Sequence, residues 1–144
     1  QHDLYLIHWP IAFRHGVVFP SKADEFLTLS DAPLEKTWEA MLAQRANGAV
    51  RNVGVSNMGP ERIAQLESVG ETPSVDQVEC RPLLAQRELS ELCRARGIVL
   101  TAYSPLGSPD RQTRKDDEPS LLAHPTITRI AEELGGSTAQ ILVA

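Results

Sequence analysis

Four groups of polar or aromatic residues stand at matching places in the sequence: His8 with Trp9, Ser56 with Asn57, Gln77 with Glu79, and Tyr103 with Ser104. Each falls near the end of an apolar run, LYLIHW at 4–9, VRNVGVS at 50–56, SVDQVEC at 74–80 and IVLTAY at 98–103. The branched and aromatic residues of these runs favour strands. An imidazole can hydrogen-bond a reacting oxygen, a hydroxyl and two carboxamides can grip the polar edge of a ligand, and a tyrosine ring can stack on a flat one. Parallel sheets present ligands with the carboxyl ends of their strands. Four such ends carrying these groups predict a binding site along that rim.

Each group also has a structural reading. His8 reads as a satisfied core histidine, and Ser56 with Asn57 as a turn before Pro60, since both side chains mimic backbone turns. Gln77 and Glu79 share a strand face with Val75 and read as the polar lining of a barrel interior. Tyr103 reads as packing with its hydroxyl bonded to backbone. Trp9 and Trp38 read as core, Trp9 with the option of walling a pocket, and Cys80 as a small buried hydrophobe.

The elements that must position these groups follow from periodicity. LEKTWEAMLAQRANG places Leu34, Trp38, Met41, Leu42 and Arg45 at helical spacing, ERIAQLESVG places Ile63 and Leu66, and RELSELCRARG places Leu89, Leu92 and Cys93. Each segment has one apolar stripe and one polar face. Gly48, Gly70 and Gly97 follow these helices, where a left-handed residue can satisfy the last carbonyls. Pro60 suits a first helical turn, and Ser137 with Gln140 forms a capping-box pattern ahead of a last helix. The order is β-α-β-α-β-α-β, then HPTITRIAEELGG and the start of one more helix. Strict alternation predicts parallel strands with helical crossovers. An open doubly wound sheet or a section of a (β/α)8 TIM barrel satisfies this order, and the lack of any G-x-G-x-x-G after a strand favours the barrel.

Composition narrows the class. The chain has 144 residues, 42% hydrophobic and 23% charged, with a formal net charge of -5, which fits one soluble domain or part of one. It contains neither an uncharged apolar stretch long enough to span a bilayer nor a signal-peptide pattern. Arg111, Arg114 and Lys115 are followed at once by Asp116, Asp117 and Glu118, a mixed run expected to be a solvated loop rather than a nucleic-acid groove. Cys80 and Cys93 lack metal-ligand spacing and read as two free thiols in a reducing compartment. The chain opens at Gln1 and closes on QILVA inside a helical pattern, so the expectation is a section of something longer.

Taken together, DLYLIHWP, NVGVSN, DQVEC with Pro82, and TAYSPLGSPDR resemble the aldo-keto reductases, most closely the aldose reductase-like branch, from about Asp3 to the last residue. The resemblance implies that residues 1–144 are the central part of a single TIM-barrel domain, roughly its fourth strand to its seventh helix. It implies a cytoplasmic, monomeric enzyme that transfers hydride from NADPH to a small-molecule carbonyl, an aldehyde, ketone or aldose, with no nucleic acid, membrane or metal involved. The alternative is a non-catalytic, cofactor-sensing or scaffold member of the same fold, or a truncated remnant. By the resemblance His8 is catalytic and binds the substrate carbonyl, and Trp9 forms part of the substrate pocket. Ser56, Asn57 and Gln77 hold the nicotinamide carboxamide, and Tyr103 stacks on the ring. Ser104, Leu106, Ser108 and Asp110 line the pyrophosphate, residues 107–121 form a belt over the cofactor, and the loop at 10–33 walls the substrate pocket.

Two positions depart from the family pattern: Arg81 stands where a histidine is usual, and Met58 where an aromatic is common. The tyrosine proton donor with its lysine and aspartate, and the lysine, serine and arginine that grip the adenosine 2'-phosphate, are placed by the resemblance outside these 144 residues.

Overall fold

The computed structural model describes residues 1–108 and 120–144. Six strands and five α-helices are present among them: β1 (His2–Ile7), β2 (Ala12–Phe13), β3 (Phe26–Leu27), α1 (Leu34–Ala46), β4 (Val50–Ser56), α2 (Pro60–Glu67), β5 (Val75–Glu79), α3 (Arg87–Arg96), β6 (Val99–Tyr103), α4 (Pro125–Leu134) and α5 (Thr138–Val143). The four long strands form one parallel sheet in the order β1-β4-β5-β6, with α1, α2 and α3 as successive crossovers. This is the α/β arrangement of part of a TIM barrel, in agreement with the alternation read from the sequence.

The chain divides into two compact units, Gln1–Val78 with Arg87–Thr101, and Glu79–Gln86 with Ala102–Ala144. In the first, β4 is central. Val53, Gly54, Val55 and Ser56 are all buried, as a strand covered on both faces requires. Its neighbour β5 alternates, with Asp76 and Val78 buried and Val75, Gln77 and Glu79 half-buried. Register follows from the ladder: Ile7 pairs with Val55, Val55 with Asp76, and Ser56 with Gln77. The helices lay their apolar stripes inward, Leu34, Trp38 and Met41 from α1, Ile63 and Leu66 from α2, and Leu89 and Cys93 from α3. Trp38 is fully enclosed and its indole N–H donates to the Glu71 carbonyl at 3.0 Å. Burial of that ring therefore leaves no donor unmet. Arg45 pairs with Glu71, and Arg96 of α3 pairs with Glu67 of α2 at 2.5 Å. Such partly exposed pairs align neighbouring segments more than they stabilise them.

Two sequence expectations change here. Gly48 and Gly97 have positive φ, 79° and 70°, as helix stops do, but Gly70 does not. Helix α2 ends at Glu67 with right-handed Ser68 as its cap, and Gly70 matters for space instead: a Cβ there would lie 2.6 Å from Leu42 Cδ1 and 3.5 Å from the Trp38 indole nitrogen. The segment at 10–33 is more than a loop, because β2 and β3 pair as a short antiparallel hairpin and the Phe13 and Phe26 rings meet edge to face at 5.4 Å.

The second unit carries α4 and α5. Leu121, Ile127 and Leu142 form its small core. Gly135 closes α4 in the left-handed conformation with φ 66°. The Ser137 and Gln140 pattern is a reciprocal capping box, Ser137 N–H to Gln140 Oε1 at 2.8 Å and Gln140 N–H to Ser137 Oγ at 3.2 Å, which supplies donors at the helix start with acceptors.

The backbones approach closely at Gly54, where an added Cβ would stand 2.6 Å from the Val75 carbonyl oxygen and 2.9 Å from Leu6 Cδ2. Since the first obstacle is backbone, Gly54→Ala is expected to lower stability by about 1–3 kcal/mol, seen as a fall in the thermal midpoint; an unchanged midpoint would show that β4 and β5 separate without penalty.

Candidate functional site

The first unit gathers His8, Ser56, Asn57 and Gln77 at one end of the sheet. His8 and Trp9 follow directly on β1, Ser56 is the last residue of β4 and Asn57 the next, and Gln77 lies on β5 opposite Ser56 in the ladder. The Asn57 side-chain amide donates to the His8 carbonyl at 2.8 Å and to Ser56 Oγ at 3.0 Å. Ser56 Oγ donates in turn to the Gln77 carbonyl at 2.6 Å, which also accepts the Asn57 backbone N–H at 3.0 Å. Three strand ends are thus tied together by two side chains. Asn57 reaches this position with φ 60°, a left-handed conformation that asparagine tolerates better than most residues.

Burial grades across the set. Ser56 is 3% exposed, Asn57 and Gln77 are half-buried, and His8 is exposed. Within these 144 residues the His8 side chain lies outside the core. Trp9 was also expected in the core, yet it is 45% exposed and lies beside His8, ring centroids 6.0 Å apart at 49°. The chain has already left the sheet after Ile7, the end of the edge strand, and among the described residues no strand covers the indole. Met58, the departure next to Asn57, is almost wholly buried and anchors the turn from beneath.

The second unit holds Tyr103, Ser104, Leu106 and Ser108. Tyr103 is half-buried, and burial first and the Glu79 carboxylate second push its phenol pKa up, so the hydroxyl keeps its proton. Ser104 has φ 51° and its carbonyl accepts the Gly107 N–H at 2.9 Å, while Ser108 Oγ donates to Ser104 Oγ at 2.8 Å. Pro105 and Gly107 supply the fixed and the positive φ that such a tight turn needs. Leu106 is exposed. Asp110 and most of the 107–121 belt lie outside the described residues.

Sequence reasoning missed two features. Arg81 pairs with Glu79 at 2.8 Å, both side chains largely covered, and Gln86 Nε2 donates to the Glu79 carbonyl at 2.9 Å. The placement of an arginine two residues after a glutamate was the available signal. The second is Asp76, fully buried on the face of β5 opposite Gln77, whose two carboxyl oxygens have no hydrogen-bond partner among the described residues. Burial pushes its pKa up to about 6, opposed only by the Met58 backbone N–H, which approaches without bonding geometry. A charged residue inside an otherwise apolar strand pattern was the signal there. Among the described residues no cluster of three metal-ligating side chains occurs, and no helix is long and apolar enough to cross a membrane.

Residues 1–144 match the model of the aldo/keto reductase family. The chain is 49% identical over 143 residues to aldo-keto reductase family 1 member A1 of Pongo abelii, 48% to the protein of that name from Homo sapiens and 44% to that from Xenopus tropicalis. Each comparison covers 98% of this chain and 44% of the relative, so the chain spans less than half the length of these relatives.

The tie made by Asn57 predicts a graded response. Asn57→Ala loses two side-chain hydrogen bonds and strains the left-handed backbone, for a cost of about 2 kcal/mol in urea unfolding, whereas Asn57→Gly keeps the backbone and loses about half as much. Equal costs would mean that the lost strand tie accounts for the whole effect and backbone strain for none of it, whereas a near-zero cost for Asn57→Gly would mean that the backbone conformation dominates.

Proposed function

Because this chain belongs to the aldo/keto reductase family, we infer that the intact protein is an NADPH-dependent carbonyl reductase acting on a small aldehyde, ketone or aldose. The observation that carries this reading is the exposed His8 imidazole beside a rigid set of amide and hydroxyl groups at one strand-end rim. The donor set fits the cofactor: Gln77 and Asn57 are amides, the natural complement of a nicotinamide carboxamide, and Ser56 supports them. When bound, NADPH supplies the hydride.

What the chain's own residues do follows from their environment. With its Nδ2 committed to the His8 carbonyl and Ser56 Oγ, the Asn57 side chain is held in one orientation, so a carboxamide docking there meets a fixed partner rather than a rotating one. Orientation of this kind is most of what a protein offers a hydride cofactor. His8 hydrogen-bonds the carbonyl oxygen and stabilises the negative charge that develops on it, and Trp9 walls the substrate side. In the second unit Tyr103, held as a neutral phenol, offers a flat face for stacking, and the turn at 104–108 brings small residues and backbone amides suited to phosphate. The resemblance assigns protonation of the product oxygen to a tyrosine outside these 144 residues. A monomer in the cytoplasm is the setting this reading adopts, in keeping with two free thiols, Cys80 and Cys93.

The test is an NADPH fluorescence titration of the intact protein followed by NADPH oxidation with a simple aromatic aldehyde. Binding with turnover is expected, and His8→Ala should cut kcat/KM by about 100-fold while leaving NADPH affinity unchanged. Binding without turnover would favour a cofactor-sensing scaffold, and failure to bind would remove the cofactor reading altogether.

A further inference from the structure

Asp76 is a costly residue to bury unless it does something. Among the described residues it is the one buried charged side chain, it is completely enclosed, and neither carboxyl oxygen finds a partner there. A buried carboxyl without partners is tolerated by keeping its proton. Its position is specific: it pairs with Val55 in the ladder, one residue before the Ser56–Gln77 pair, and the Met58 N–H approaches it from the turn that carries Asn57.

We propose that Asp76 is a positioning residue for the turn of Ser56, Asn57 and Met58, supporting it while the carboxyl is neutral and loosening it when the carboxyl ionises. A neutral carboxyl sits in the apolar layer at little cost. An ionised one must gain donors or water, and a backbone donor that already acts on it is the Met58 N–H, one residue from Asn57, so drawing that N–H closer shifts the turn. Asn57 holds the His8 carbonyl and Ser56 Oγ, so this movement reaches three strand ends.

The surroundings leave Asp76 to titrate largely alone. From α3 the titratable group facing it is the Cys93 thiol, pushed up first by burial and next by the Asp76 charge. Arg96, also on α3, is paired with Glu67 of α2, and α2 otherwise contributes buried Ile63 and Leu66. From β4 comes buried Val55. Among the described residues no charged side chain acts on the carboxyl to hold its ionised form.

The direction in pH follows from linkage. The closed turn holds its proton up to a pKa of about 6, whereas an opened, solvated carboxyl keeps it only to about 4. The closed turn therefore binds more protons across that window, so its stability, full at low pH, declines as pH rises through the window and levels off once both states are ionised, above about 6. The consequence for cofactor affinity rests on the proposed role of Ser56, Asn57 and Gln77; the consequence for the turn does not.

The experiment compares the intact wild-type protein with Asp76→Asn, which keeps the shape and cannot ionise, by amide hydrogen exchange and NADPH titration at matched pH from 5 to 7. Comparison at each pH cancels the intrinsic exchange rate and the titration of the cofactor phosphates. The wild-type protection of the Asn57 and Met58 amides, relative to the variant, is expected to fall about tenfold over that range, with protection at Tyr5 and Val53 changing much less and relative NADPH affinity falling in parallel. A flat ratio at Asn57 and Met58 overturns the proposal, as does an equal change at Tyr5 and Val53, which would make the effect global stability. If the turn responds but neither protein binds NADPH, the positioning role stands and the cofactor reading falls.

Discussion

Parallel strands hold one another by slanted backbone hydrogen bonds along their length, but those bonds stop where the strands stop. In this chain side chains add to those bonds, Asn57 joining the end of β4 to the His8 carbonyl just past β1 and Ser56 Oγ joining β4 to the Gln77 carbonyl of β5. The same tie that secures the sheet also sets out the polar groups at its rim. Because the bonds run from side chain to main chain, each fixes a backbone position as well as a side-chain rotamer. Ser56 is almost wholly buried and both members of its pair are satisfied, so the tie carries little of the desolvation cost that an unpaired hydroxyl there would incur.

That arrangement depends on how closely the strands approach. Gly54, two residues before Ser56, leaves no room for a Cβ against Val75, and the ladder that pairs Ser56 with Gln77 runs directly beside it. Trp38 and Gly70 play the same part in the helix layer, an enclosed ring set against a glycine that has no side chain to displace it. Packing at these two glycines sets the sheet and its covering layer, and hydrogen bonding at the strand ends then positions the rim.

Against this well-satisfied background Asp76 stands out. Ser56, Trp38 and the capping pair Ser137 and Gln140 all find partners, while the Asp76 carboxyl finds none among the described residues. Proteins leave such groups unpaired rarely, and carboxyls perturbed by burial cluster at functional sites. Here the residue lies back to back with Gln77 on one strand, so a polar rim face and a buried face with an unsatisfied carboxyl share five residues of backbone.

The alternation of strands and helices, the strand-end positions of Ser56 and Gln77, the helix faces and the last helix's capping box were legible in the sequence, because each rests on periodicity or on neighbours within four residues. Other features depended on residues far apart in the chain. The bond from Asn57 to His8 spans 49 positions and that from Ser56 to Gln77 spans 21, and whether they form is set by strand register, which a string of residues does not display. For the same reason Trp9 read as core until the end of β1 left it uncovered, Gly70 read as a helix stop until Leu42 and Trp38 were found against it, and Asp76 gave no sign of lacking a partner. Local chemistry names the groups a rim can use; only the packing of distant segments decides which of them are exposed, which are tied, and which are buried without company.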